Sequence, residues 1–410
     1  MTNLIVWILG LTLISITTGQ NDIGDNEEYV PFIGTRRDNF DWNLLKDVVQ
    51  ANPEKNIVIS PLSAKVVLMM LAEMSGIKSD TRKELLDALD GIKDLHEGRI
   101  IISKIIKSLQ EVDLVNRINC ASQVFITDKV RTSQKIEAIY QSKYSAGVQS
   151  LDFSDTTQAT ETINKFVADA TDNQLRDFVS RDTVTDAIVI LINAVFFDGK
   201  WSVPFKTART EKGNFYAQPN RPSKVDFMRA KRPQYFYHSD KLKATLMRLP
   251  YSGGKYAMFL ILPDQTTTVE ILLNSLNSRL INREMWYLDE DEINIYLPKF
   301  KIAFPLDLKT HLMNMGINAV FTSNASLPLL ARGDQTSTNQ LLLSQILQQS
   351  GIEVTEEGSV AYGATQGQLV NKIGGQPKEF KADRPFLFYI EDEKTGNILF
   401  AGKVNDPSLN

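Results

Sequence analysis

The chain has one cysteine, Cys120, and three histidines, His96, His238 and His311. A lone cysteine closes no intramolecular disulfide, so the fold must be held by its core. Three widely separated imidazoles lack metal-ligand spacing, and no serine stands in a glycine-flanked elbow. These absences argue against a hydrolase or metalloenzyme; the chain is expected to be no enzyme and to carry no metal or cofactor. Long runs of one charge sign are also missing. The formal charge of -4 is spread along the chain, which gives no footprint for a nucleic-acid partner. Past the first twenty residues no apolar run reaches spanning length, so no membrane partner is expected. Repeats, Pro/Ser linkers and low-complexity segments are absent as well, which favours one large α+β domain.

What is present is an ordinary globular composition over 410 residues, 43% hydrophobic and 23% charged. Leu4 to Ile16 is apolar and uncharged, followed by Thr17, Thr18 and Gly19 before Gln20. This reads as a signal peptide over residues 1–19, placing the protein outside the cell, secreted. Residues 20–39, with Asp22, Asp25, Glu27 and Glu28, read as a loosely held polar lead-in, and the domain proper runs over 40–410.

The first half is mostly helical in pattern. Ser63 to Met74 is apolar at helical spacing, Ser79 caps a helix through Arg82-Lys83-Glu84-Leu85-Leu86, and Glu161 to Val167 is amphipathic. Strands dominate later. Ala187 to Phe197 is apolar throughout and predicts a central strand; Tyr256 to Leu262 and Ile293 to Leu297 predict others. Pro385 to Ile390 and Ile398 to Val404 predict a hairpin across Lys394-Thr395-Gly396-Asn397. Asp289-Glu290-Asp291-Glu292 reads as a solvated turn, Arg99, Lys104 and Lys107 as the solvated face of a helix, and Cys120 as a small buried hydrophobe.

One segment carries two readings. In Glu356-Glu357-Gly358-Ser359-Val360-Ala361-Tyr362-Gly363-Ala364-Thr365-Gln366-Gly367 the glycines mark a loop. Yet Ser359, Ala361, Gly363, Thr365 and Gly367, every second residue, are small and uncharged, as on the buried face of a strand. Val360, Tyr362, Gln366 and Gln368 would face outward. A segment able to be either loop or strand suggests a switch.

Four separated motifs now carry a family resemblance. They are Asn56-Ile57-Val58-Ile59-Ser60-Pro61-Leu62-Ser63; Asn193-Ala194-Val195-Phe196-Phe197-Asp198-Gly199-Lys200-Trp201; the run Glu356-Glu357-Gly358-Ser359; and Asp383-Arg384-Pro385-Phe386-Leu387-Phe388 with Phe400-Ala401-Gly402-Lys403-Val404. In this order they resemble the serpins, the serine protease inhibitor superfamily, and in particular its secreted, antitrypsin-like inhibitory members. The resemblance covers Phe40 to Pro407. It implies a single domain of helices packed on three β-sheets with an exposed reactive-centre loop, here 356–384. It further implies a loop that a protease cleaves and that then inserts as a new strand in the main sheet. A dozen residues at a net ~0.5–1.5 kcal/mol per hydrogen bond would release on the order of 10 kcal/mol, comparable with the stability of a whole domain.

The same resemblance assigns site residues. Glu356, Glu357, Gly358, Ser359, Ala361, Gly363 and Thr365 form the hinge; Trp201 stands at the top of the sheet, and Lys299 is expected to pair with Glu356. Ser60, Ser63 and Asn193 match a hydrogen-bonded cluster under the sheet's opening, with Gln348 where the family often has histidine. Fourteen residues beyond Gly358 the attacked bond falls at Lys372-Ile373; eleven back from Pro385 it falls at Gly374. A lysine there would suit a trypsin-like serine protease, the expected extracellular partner, in covalent complex with a monomeric inhibitor. Inhibition of papain-like cysteine proteases and a non-inhibitory carrier, storage or chaperone role are the alternatives. Asn324-Ala325-Ser326 is a glycosylation sequon, expected to make Asn324 a glycosylated surface position.

Overall fold

The computed structural model describes Tyr29 and residues 39–89, 91–111, 115–323, 325–332, 343–359 and 378–409. The helices are α1 (Phe40–Ala51), α2 (Pro61–Met74), α3 (Asp80–Asp87), α4 (Leu95–Gln110), α5 (Gln134–Ile139), α6 (Thr156–Ala170), α7 (Arg181–Val184), α8 (Val269–Ser275), α9 (Ser278–Met285) and α10 (Leu308–Asn314). The strands are β1 (Ile57–Ile59), β2 (Arg117–Thr127), β3 (Arg131–Thr132), β4 (Ala146–Leu151), β5 (Val189–Lys200), β6 (Glu211–Gln218), β7 (Arg221–Ser239), β8 (Ala244–Pro250) and β9 (Tyr256–Pro263). They continue with β10 (Asp289–Pro298), β11 (Phe300–Asp307), β12 (Ala331–Arg332), β13 (Gln345–Val354), β14 (Gly358–Ser359), β15 (Lys378–Lys381), β16 (Phe386–Asp392) and β17 (Asn397–Val404).

Three sheets result among the described residues. The central one has the order β11-β13-β5-β2-β4, with the short β14 attached to the end of β5. A second runs β1-β17-β16-β9-β8-β7-β10-β15, with β6 on β7, and β12 pairs with β3. Strand β5 explains its own composition. Ile190, Ile192, Ala194 and Phe196 pack in one cluster with Ala159, Ile163 and Val167 of α6. Val189, Leu191, Val195 and Phe197 enter the main core, which α2 shares with the second sheet. A strand covered on both faces has no use for alternation.

Local chemistry sets the helix starts. The Ser60 hydroxyl accepts from the Ser63 N–H with Pro61 in the first turn, and Ser79 accepts from the Arg82 N–H.

Two expectations are corrected here. Asp289–Glu292 is no turn: it begins β10 and pairs with β7 from Phe236 to Pro233. Its carboxylates sit in a ladder because cations flank them, Lys378 at 2.7 Å from Asp291 and Lys231 at 3.6 Å from Glu292. Arg99 is not simply solvated, since it grips the buried Glu73 of α2 with two bonds of 2.6 Å. Within the lead-in, Tyr29 packs against the second sheet: its N–H donates to the Tyr235 hydroxyl at 3.1 Å and the Arg248 guanidinium lies 4.4 Å from its ring centre.

Candidate functional site

The site lies where β5 and β13 end. These two strands pair in parallel from Gln345 opposite Ile190 to Ile352 opposite Phe197. Beyond Val354 the chain reverses tightly: the Thr355 N–H donates to the Gly358 carbonyl at 2.8 Å and the Gly358 N–H to the Thr355 carbonyl at 3.3 Å. The returning pair Gly358–Ser359 lies antiparallel to β5, Gly358 opposite Lys200 and Ser359 opposite Gly199. Only glycine fits the first position. Its φ is +145°, and a Cβ there would stand 2.1 Å from the Gly199 carbonyl oxygen.

A strap of residues 201–210 crosses above this hairpin and supplies donors to it. The Trp201 N–H reaches the Glu357 carbonyl at 2.9 Å, and the Phe205 N–H reaches the Glu356 carbonyl at 2.7 Å. The Trp201 indole N–H donates to the Thr355 carbonyl at 3.0 Å, while its ring stacks on Tyr251 at 4.5 Å. The Glu356 carboxylate is buried, 2.8 Å from Lys299 and 2.7 Å from the Thr210 hydroxyl that donates to it. Burial opposes its ionisation, but the bonds from Lys299 and Thr210 outweigh that and hold it below its ordinary value. A depressed carboxylate contributes stability that is complete above its unfolded value and lost as pH falls through the folded one. Opening of this hairpin should therefore be flat across neutral pH and accelerate only below about pH 4. Hydrogen exchange at the Phe205 and Trp201 amides, followed from pH 7 to 3 and compared with Glu356→Gln, checks this; equal profiles for the two proteins would refute it.

Beneath the seam lies a buried polar cluster. The Gln348 side chain closes a two-point contact with the backbone of Ser60, accepting its N–H at 2.9 Å and donating to its carbonyl at 3.0 Å. The Ser350 hydroxyl donates to the same amide oxygen at 3.3 Å. Asn193, the partner of Gln348 across the seam, takes the Ser63 hydroxyl on its oxygen and donates to the Ser122 hydroxyl at 2.9 Å. The Ser60 hydroxyl donates to the Leu399 carbonyl at 2.7 Å. An amide thus serves at position 348 because it both donates and accepts. Cys120 is partly buried and packs against the main core; burial, against hydrogen bonds with Ser63 and Asn193, pushes its thiol up to about 11.

The structure so brings together Trp201, Lys299 and Glu356–Ser359 at the end of the seam, and Ser60, Ser63, Asn193 and Gln348 beneath it. Ala361, Gly363, Thr365, Lys372, Ile373 and Asn324 lie outside the described residues, as do residues 1–19. Phe205, Thr210 and Ser122 were missed by sequence reasoning. Phe205 acts through its main-chain N–H, which leaves no mark in composition.

Fold and site together define an α+β protein whose central sheet has a closed parallel seam capped by a short antiparallel hairpin. A family profile described as Serpin (serine protease inhibitor) matches residues 35–407. Serine protease inhibitor 2 of Anopheles gambiae is 35% identical over 99% of this chain and 98% of its own. The crystal structure of Serpin48 of the insect Tenebrio molitor, described as a highly specific serpin, superposes with TM-score 0.78 at 28% identity, covering 92% of this chain and all of that one. Human thyroxine-binding globulin complexed with thyroxine superposes with TM-score 0.83 at 24% identity, over 90% of this chain and 96% of that one, a likeness of fold. The chain belongs to the serpin family.

Proposed function

We propose that the protein is a secreted suicide-substrate inhibitor of a trypsin-like serine protease. The observation that carries this reading is the hinge hairpin. Gly358–Ser359 already lies antiparallel to β5, directly above the last pair of the β5–β13 seam. Continued in that register, Ala361 would come opposite Phe197, Gly363 opposite Val195 and Thr365 opposite Asn193. Directly opposed residues share a face, so these small side chains would enter the side occupied by Val195 and Phe197, the main core. Bulky or charged residues there would cost several kcal/mol; from Ser359 to Gly367 this series has none, and a bulky side chain enters it only at its last position, Leu369. The register reaches Leu369 opposite Val189, the far end of a strand of 12 residues.

Chemically, the protease serine attacks the Lys372 carbonyl and the Lys372–Ile373 bond breaks, leaving Ile373 as a free amine and Lys372 as an acyl ester. Insertion of 358–369 before water cleaves that ester carries the protease from one end of the sheet to the other. Lys372 lies three residues past the last strand position, short enough for the ester to be drawn hard against the sheet.

Incubation with a panel of trypsin-like, chymotrypsin-like and papain-like proteases tests this. The expected result is an SDS-stable complex with trypsin-like members and release of a fragment whose first residue is Ile373. A fragment beginning elsewhere rejects the Lys372 assignment. Loop cleavage by every protease tried, with no covalent complex, rejects inhibition in favour of a carrier or storage role.

A further inference from the structure

The strap over the hinge needs an anchor of its own. Its donors, Trp201 and Phe205, bracket Val203 and Pro204, and proline contributes no N–H. From β7, where it stands opposite Ile293, Arg232 reaches across to this segment. Its Nη1 donates to the Val203 carbonyl and, at 3.5 Å, to the Pro204 carbonyl. Its guanidinium lies 4.8 Å from the ring centre of Phe205. Among the described residues no carboxylate pairs with it, and its Nε is sealed from solvent with no partner. Burial pushes the guanidinium down to about 10, so it remains a cation at neutral pH. Arg232 is half-buried as a whole, and a cation so placed with no carboxylate partner among the described residues is held by the carbonyls and the ring it touches.

We propose that Arg232 is a positioning residue for the hinge: by clamping the Val203 and Pro204 carbonyls and the Phe205 ring, it holds the strap down so that Phe205 and Trp201 keep the hairpin seated on β5. Its consequence for inhibition rests on the insertion mechanism proposed above. The cleaved loop then starts its insertion from a preset register, and inhibition outruns hydrolysis of the acyl ester. Guanidinium geometry is required, since two carbonyls and a ring face are engaged together; an ammonium can satisfy only part of this.

The test compares wild type, Arg232→Lys and Arg232→Met, in two measurements. The first is amide hydrogen exchange in the uncleaved protein, which needs no protease. Arg232→Met should raise exchange at Trp201, Phe205 and Gly358 at least about tenfold, with Arg232→Lys between, while the β16–β17 hairpin and the melting temperature of the cleaved form stay at wild-type values. Unchanged exchange at these three amides, or a rise spread evenly over the molecule, overturns the positioning role whether or not the protein inhibits anything. The second is the number of inhibitor molecules consumed per protease. It should rise several-fold in Arg232→Met at an unchanged rate of loop cleavage; loosened amides with unaltered stoichiometry overturn the link from anchor to inhibition. If wild type forms no covalent complex, the inhibitory reading and the link that rests on it fail together, and the exchange data alone then decide the positioning role.

Discussion

Gly358→Val is expected to cut the yield of covalent complex at least about tenfold while leaving loop cleavage intact. The substituted Cβ would meet the Gly199 carbonyl oxygen at 2.1 Å, the Lys200 Cα at 2.6 Å and the Trp201 nitrogen at 2.9 Å. All three are backbone, so none can swing aside as a side-chain tip would. The φ of +145° adds a penalty that β-branched residues feel strongly, about 1–3 kcal/mol, and relief requires β14 to lift from β5. At 1.4 kcal/mol per factor of ten, a handicap of roughly 2–3 kcal/mol slows the start of insertion by about 30- to 140-fold. Hydrolysis of the ester then wins and the inhibitor is consumed as a substrate. Titration of a trypsin-like protease reads this directly; one-to-one inhibition by the variant would show that the hairpin is not where insertion begins.

Glu356→Lys should produce a different failure, self-association without any protease. The substitution faces the new ammonium against Lys299 and leaves the Thr210 hydroxyl without its acceptor. Breaking a buried ion pair costs about 3–5 kcal/mol; with Lys299 38% exposed, solvent screening reduces this to the order of 2 kcal/mol. The hinge would swing free and the seam could part, offering unpaired N–H and C=O groups of β5 and β13 to the loop of another molecule. Gentle heating should yield a series of oligomers on native gels for the variant and monomer for wild type. A synthetic peptide of the 358–369 sequence should suppress the series by filling the seam first. A variant that stays monomeric under these conditions removes the Lys299 lock from the account.

Much of this was legible in the sequence, for reasons that differ by element. Strand β5 announced itself because burial on both faces leaves an unbroken apolar run, α2 because its apolar residues recur at helical spacing, and α3 because a serine cap sits at its start. The start of β10 was not legible. Four consecutive carboxylates have poor strand propensity, and only Lys231 and Lys378, distant in sequence, make the ladder tolerable. Arg99 was misread for a similar reason: its partner Glu73 lies on another helix. At the candidate site, charged Lys299 and Glu356 could be paired through a resemblance, whereas the strap could not, because it works through main-chain donors that any residue possesses.

The parallel pairing of β5 with β13 has one more consequence. Along β11-β13-β5-β2, chain direction alternates at every step except this one, so the sheet carries the equivalent of a stacking fault at its centre. A strand antiparallel to β5 is necessarily antiparallel to β13 as well, so a single entering segment would restore the alternation on both sides. Insertion would exchange one slanted ladder for two perpendicular ones of slightly better geometry. The net gain would be about one ladder, held in the uncleaved fold as an error in direction rather than as a weak core.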